Sequence, residues 1–174
     1  MPNYSLSIGN VTREFPYVRV NANSTLPIVE LVGDWELTNA IADEMVKLLP
    51  RKFDVLLTST VSGVPLTHAI AERIKKPYAA ARKRRRTYMQ DPLIQAVDSM
   101  TLGVNETLWL DQRQAEKLKG KKVVVIGDVV VTGSTQVALA KLTERAGGEV
   151  VAYVAAFKQG NPSIEVQAAV ELPS

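Results

Sequence analysis

Val123-Val124-Val125-Ile126-Gly127-Asp128-Val129-Val130-Val131-Thr132-Gly133-Ser134-Thr135 is the stretch on which the reading of this chain turns. Its first four residues, three of them valines, read as the start of a buried strand. Asp128 follows at the strand's end, and Thr132 to Thr135 then supply a small, hydroxylated turn. Val137, Leu139, Leu142 and Ala146 continue with helical spacing, and Gly147-Gly148 gives a natural stop. A strand that passes through a Gly/Ser/Thr turn into a helix aims backbone N–H groups, hydroxyls and a helix N-terminus at one point. Such a point binds anions, and phosphate is the commonest occupant. The alternative is a strand-turn-helix unit with no ligand.

The rest of the chain fits an α/β protein around that unit. With 174 residues it has the length of one domain, able to bury a core without staples. Hydrophobic residues make up 46% and charged residues 22%, an ordinary globular balance. The absence of cysteine excludes disulfides and thiolate metal sites. No apolar run has the length of a spanning helix, and Met1 to Ser5 lacks the layout of a signal peptide. A cytoplasmic protein without membrane contact is expected. The net charge is +3 and the pI near 9.2, which suits an anionic partner.

Tyr4, Leu6 and Ile8 alternate with serines, and Gly9-Asn10 turns the chain back into Val11 to Phe15, a hairpin. Asp34 caps a helix carrying Leu37, Ile41, Met45 and Leu48, stopped by Pro50. Phe53 to Thr58 is a strand, Pro65 to Lys75 a helix, Pro77 to Ala81 the next strand. Asp111 caps a short helix that ends near Leu118, and Val150 to Phe157 is a further strand after the long helix. Trp35 and Trp109 read as packing anchors. Alternating strands and helices predict a mainly parallel central sheet covered on both faces, with ligands at the strands' carboxyl ends.

Two more segments reach that edge. Thr58-Ser59-Thr60-Val61-Ser62-Gly63 is again strand, polar turn and helix, either a second phosphate turn or a plain Ser/Thr-rich connection. Arg82-Lys83-Arg84-Arg85-Arg86 puts five cations in a row after a strand. Their mutual repulsion is relieved by solvent, by the phosphates of a nucleic acid, or by a small anionic ligand. No dinucleotide fingerprint, Lys-Ser/Thr phosphate loop or nucleophile elbow is present, which argues against dehydrogenase, triphosphatase and hydrolase activities.

The Val123 to Thr135 stretch resembles the phosphoribosyl-diphosphate (PRPP) motif of type I phosphoribosyltransferases: four apolar residues, two acids, a short apolar stretch, then Thr-Gly and small residues. One position departs, because Gly127 stands where the first acid belongs. The resemblance covers about residues 30–160. It implies the type I phosphoribosyltransferase (Rossmann-like) α/β fold in a single domain over 1–174, with a flexible hood hairpin at about 84–110 over the active site. It also implies the adenine-type, purine branch of the family. PRPP and a purine base would give the nucleoside monophosphate and pyrophosphate, with Mg²⁺ held mainly through PRPP.

By the same resemblance Asp128 holds the ribose, and Val131, Thr132, Gly133, Ser134 and Thr135 wrap the 5′-phosphate. Thr60, Ser62 and Gly63 take the pyrophosphate, although the Lys or Arg common in relatives' loops is missing there. Arg82 and Lys83 match the cation pair that clamps pyrophosphate at the start of the hood. The hood is expected as two strands, Val97 to Leu102 and Thr107 to Leu110, about a turn at Gly103 and Asn105. Glu106 is its candidate carboxylate or a solvated turn residue. Phe157 is a candidate stacking face for the base or a core residue. Direct protein ligands to the metal are not expected beyond Asp128 through water. A homodimer is implied, and nucleic acid is not the expected partner. The other reading is a PRPP- or nucleotide-binding regulatory protein of the same fold that has lost catalysis, as Gly127 would favour.

Overall fold

The computed structural model describes residues 3–20, 22, 24–98 and 106–174. At its centre is a five-stranded sheet in which every neighbouring pair is parallel. The N-terminal hairpin pairs β1 (Tyr4–Ile8) with β2 (Val11–Phe15), Tyr4 opposite Phe15 and Ile8 opposite Val11. Gly9 makes the reversal with φ of +56°, a conformation that costs glycine little. A second antiparallel ribbon, β3 (Tyr17–Arg19) with β4 (Thr25–Pro27), is too short to carry a readable alternation. After α1 (Trp35–Val46) the chain enters the sheet with β5 (Val55–Ser59), leaves it by α2 (Gly63–Ile74) and returns as β6 (Tyr78–Ala81). An antiparallel hairpin follows, β7 (Leu93–Val97) and β8 (Glu106–Leu110), then α3 (Gln112–Glu116). Strand β9 (Lys122–Val130), helix α4 (Ser134–Arg145), strand β10 (Glu149–Gln159) and strand β11 (Gln167–Leu172) complete the order.

The sheet runs β11-β10-β9-β5-β6. Chain order therefore proceeds one way from β5 to β6 and the other way from β9 to β11. The reversal falls between β5 and β9, whose carboxyl ends form the crevice where open α/β sheets bind ligands. The valine run of β9 is continuous because both of its faces are buried. Val124 and Ile126 pack toward α1 and α2 with Leu37, Ile41, Leu66 and Ile70. Val123 and Val125 pack the other way, with Leu139 and Leu142 of α4 and Leu108 and Leu110 of β8.

Several boundaries differ from expectation. Asp128 is not at the end of its strand, since β9 continues to Val130. The first strand of the hairpin expected as a hood begins at Leu93 rather than Val97, and the expected turn at Gly103 and Asn105 lies outside the described residues. Strand β11 was not expected; it carries the sheet past residue 160, and its polar ends hide the pattern. Trp35 is 72% exposed and anchors nothing, correcting its reading as a packing residue. Asp111 sits at the start of α3 but gives no side-chain cap, because its carboxylate accepts instead from Arg113 Nε at 3.0 Å.

Asp34 does cap α1: its Oδ1 accepts from Leu37 N at 3.0 Å. Arg13 of β2 donates to both its oxygens, at 2.6 and 3.1 Å, and reaches Glu36 at 2.8 Å, tying the N-terminal hairpin to the helix. These hydrogen bonds from Arg13, followed by the Leu37 amide, hold the Asp34 carboxyl below its ordinary range. The stabilisation is fully present above the ordinary carboxylate pKa and is lost as pH falls through the lowered one. Asp34→Ala is expected to cost about 1–2 kcal/mol in urea unfolding at neutral pH. Asp34→Asn keeps a cap acceptor and should lose less, with a flatter acid limb.

Candidate active site

Three loops meet at the switch point because each follows a strand of the same parallel sheet. They enclose a cleft of about 220 Å³ between the ends of β5 and β9, lined by Thr58 to Gly63, Lys83, Ile126 to Val129, Thr135 and Gln136. Successive strand residues project to opposite faces. Asp128 turns toward α2, where its Oδ2 accepts a short hydrogen bond from Ser62 Oγ. This bond joins the turn after β5 to the acid of β9.

Gly63 opens α2 at a place where no side chain fits. A β-carbon there would collide with Thr58 Oγ1, and that hydroxyl is buried and donates to Ile126 O at 3.0 Å. The backbone of the Thr60 turn is also anchored, with Thr60 N donating to Ala81 O at 2.9 Å. The Thr58 to Gly63 segment is thereby held at the wall of the cleft, with the Ser62 hydroxyl turned to Asp128.

The turn from Val131 to Thr135 forms the outer lip. Gly133, with φ of +86°, precedes the first residue of α4, and a β-carbon on it would stand 3.0 Å from Ile164 Cγ1. Thr132 Oγ1 and Ser134 Oγ lie 2.9 Å apart, and Thr132 O accepts from both the amide and the hydroxyl of Ser163. The loop before β11 is thereby latched over the turn. The first-turn N–H groups of α4 have no partners within the helix and point out of its N-terminus.

The sequence-derived residues separate in space. Thr60, Ser62, Gly63, Lys83, Asp128 and Thr135 line the cleft together. Val131, Thr132, Gly133 and Ser134 make the adjoining turn. Arg82 pairs through its backbone with Trp109 and lines a larger neighbouring groove of about 1650 Å³ beside β6, with Arg84 and Arg86. Lys83 borders both spaces and is held to Glu106 of β8, with Nζ 3.1 Å from Oε1. Phe157 is fully buried in the core with Leu37, Ile41 and Leu66. It offers no free face for stacking, and its core role is the one that burial supports.

Gln136 was missed. It reads as one more polar residue on an amphipathic helix, but its spacing to Leu139 and Thr143 places it on the buried face.

Among the described residues no group of three His, Cys, Asp or Glu side chains is arranged to hold a metal ion. The cleft offers one carboxylate, Asp128, among hydroxyls. That donor set suits a cation that keeps most of its waters and binds chiefly through a substrate's phosphates, as Mg²⁺ does. No described helix is long and apolar enough to cross a membrane.

A parallel sheet with one acid and a hydroxyl-rich turn at its switch point defines an open α/β protein whose cleft is suited to a phosphorylated ligand. The chain belongs to the phosphoribosyl transferase domain family, whose model matches residues 36–172. A hypoxanthine/guanine phosphoribosyltransferase from Methanothermococcus okinawensis is 29% identical over 132 residues, covering 76% of this chain and 68% of its own. An orotate phosphoribosyltransferase from Archaeoglobus fulgidus is also 29% identical, over 88% of this chain and 70% of its own. In fold the chain is similar to adenine phosphoribosyltransferase from Thermoanaerobacter pseudethanolicus, with a TM-score of 0.74 and 18% identity over 90% of this chain and 95% of that one. The Rhodothermus marinus protein of the same name gives 0.70 and 17%, over 98% and 94%. The type I phosphoribosyltransferase fold expected from the motif is therefore the fold of this chain.

Proposed function

We propose that the chain is a Mg²⁺-dependent purine phosphoribosyltransferase of adenine type, acting as a cytoplasmic homodimer that does not need nucleic acid. The observation that carries this reading is the Ser62–Asp128 hydrogen bond. It supports the reading by joining the Thr60 to Gly63 turn to Asp128 across the two strand ends that flank the switch point. Bound PRPP would lay its 5′-phosphate in the Val131 to Thr135 turn and its ribose against Asp128. The pyrophosphate would meet the Thr60 to Gly63 turn, with Lys83 and Arg82 at its outer side.

Transfer breaks the bond from ribose C1 to pyrophosphate oxygen and forms one to a purine nitrogen, which loses its proton. Positive charge grows on the sugar while negative charge grows on the leaving group. The protein's contribution is thus electrostatic and positional: Asp128 orients the ribose, and the amides and cations receive the pyrophosphate. Mg²⁺, when bound, supplies further neutralisation of the phosphates. The β7–β8 hairpin, which sets Glu106 against Lys83, serves as the cover that keeps water from the oxocarbenium-like sugar.

Pyrophosphate release from PRPP and Mg²⁺ with adenine, hypoxanthine, guanine, xanthine and orotate tests the proposal. Release with adenine is the expected outcome. Release only with another base keeps the transferase and reassigns the acceptor. Tight PRPP binding without release for any base favours the regulatory reading, for which the absent acid at Gly127 is the specific support.

A further inference from the structure

Gly127 and Gln136 form a pair. A β-carbon on Gly127 would stand 2.9 Å from Gln136 Nε2 and 2.9 Å from Val130 Cγ2. The carboxamide of Gln136 therefore fills part of the space that a side chain at position 127 would enter. Gln136 is 6% exposed, a buried polar residue in the first turn of α4. Among the described residues nothing hydrogen-bonds its carboxamide, yet no fully enclosed polar side-chain atom lacks a partner. The carboxamide is therefore not fully enclosed, and Gln136 lines the cleft with Asp128, Ser62 and Thr135. A carboxamide with no protein partner at the wall of a cleft has its donor and acceptor free for a ligand.

We propose that Gln136 is a binding residue for the ribose hydroxyls of the phosphosugar, beside Asp128; this rests on the function proposed above. The chemistry fits the position. A carboxamide donates and accepts, as a sugar hydroxyl does, whereas a carboxylate only accepts. Asp128 already accepts from Ser62, so the pair can take two neighbouring hydroxyls with a single negative charge between them. The 5′-phosphate turn begins on the same helix, which fixes Gln136 at a constant offset from the phosphate whichever base is bound. Position 127 is free to be glycine because its space is already used.

Calorimetric titration of the intact protein with PRPP, ribose 5-phosphate, its 2-deoxy and 3-deoxy forms, and inorganic phosphate tests the assignment. The wild type should prefer ribose 5-phosphate to each deoxy sugar by about tenfold. In Gln136→Leu the preference against one of the two deoxy sugars should fall to about twofold or less, while the preference against the other, read by Asp128, and the inorganic phosphate affinity stay unchanged. Gln136→Glu, which keeps an acceptor, should retain part of the first preference. Full preference against both deoxy sugars in Gln136→Leu overturns the proposal. So does an equal loss of affinity for every ligand including phosphate, which marks a residue that only shapes the turn. A wild type that binds neither PRPP nor ribose 5-phosphate removes the proposed function and this assignment with it. Thermal unfolding of Gln136→Leu verifies that the variant is folded.

Discussion

Asp128→Asn is expected to lower kcat/KM for PRPP by about 100-fold. A hydrogen bond to a charged group is worth about 1.5–3 kcal/mol, and the upper part of that range gives a factor of this size. Asparagine has the same shape, and its Oδ1 can still accept from Ser62 Oγ, the one side-chain partner that Asp128 has among the described residues. What it loses is the negative charge opposite the developing positive sugar. The unfolding temperature should stay within about 2 °C of the wild type, because no other contact is removed. The measurement is steady-state pyrophosphate release over a range of PRPP concentrations, beside a melting curve. A variant within about threefold of the wild type would deny Asp128 the ribose role.

The second large effect is structural. Gly63→Ala is expected to destabilise the protein by about 2–3 kcal/mol and to weaken pyrophosphate binding at least about tenfold. The new methyl group would occupy the position of Thr58 Oγ1, which cannot step aside without abandoning its 3.0 Å hydrogen bond to Ile126 O. That bond fastens β5 to β9 at the mouth of the cleft, so the displaced turn carries its ligand groups with it. Removing the opposing hydroxyl isolates the cause. In Gly63→Ala with Thr58→Ala, much of the stability returns, because the collision is gone and only the inter-strand bond is lost. Urea unfolding reads the first effect and pyrophosphate titration the second. Full tolerance of the single alanine, within about 0.5 kcal/mol, would contradict the packing described here.

The largest segments were legible for reasons that are local. Asp34 before an amphipathic run, Gly9-Asn10 between alternating strands and the valine run of β9 each carry their signal within a few residues. The hydroxylated turn after β9 belongs with them, since strand, turn and helix are contiguous. The segments that were missed have no such signal. Ribbon β3–β4 has three residues a side, and β11 is recognisable only by the β10 edge it completes. Phe157 shows the same limit within a correctly placed strand: its residue type suits a stacking face or a core, and only burial decides between them. The basic run was legible as a run. That Lys83 alone of the five borders the cleft, while Arg82 turns with β8, depends on how the hairpin docks.

By itself the sequence determined the alternating α/β order, the hydroxylated turn at Thr132 to Thr135, the acid at Asp128 and the glycine at 127 where the motif has an acid, because each is a property of contiguous residues. Tertiary structure alone decided that Ser62 meets Asp128, that Thr58 forbids a side chain at Gly63 and that Gln136 occupies the space beside Gly127. Those relations join residues on different strands and helices. They are set by strand order and by the direction in which each side chain leaves the sheet, and neither is written in any one segment.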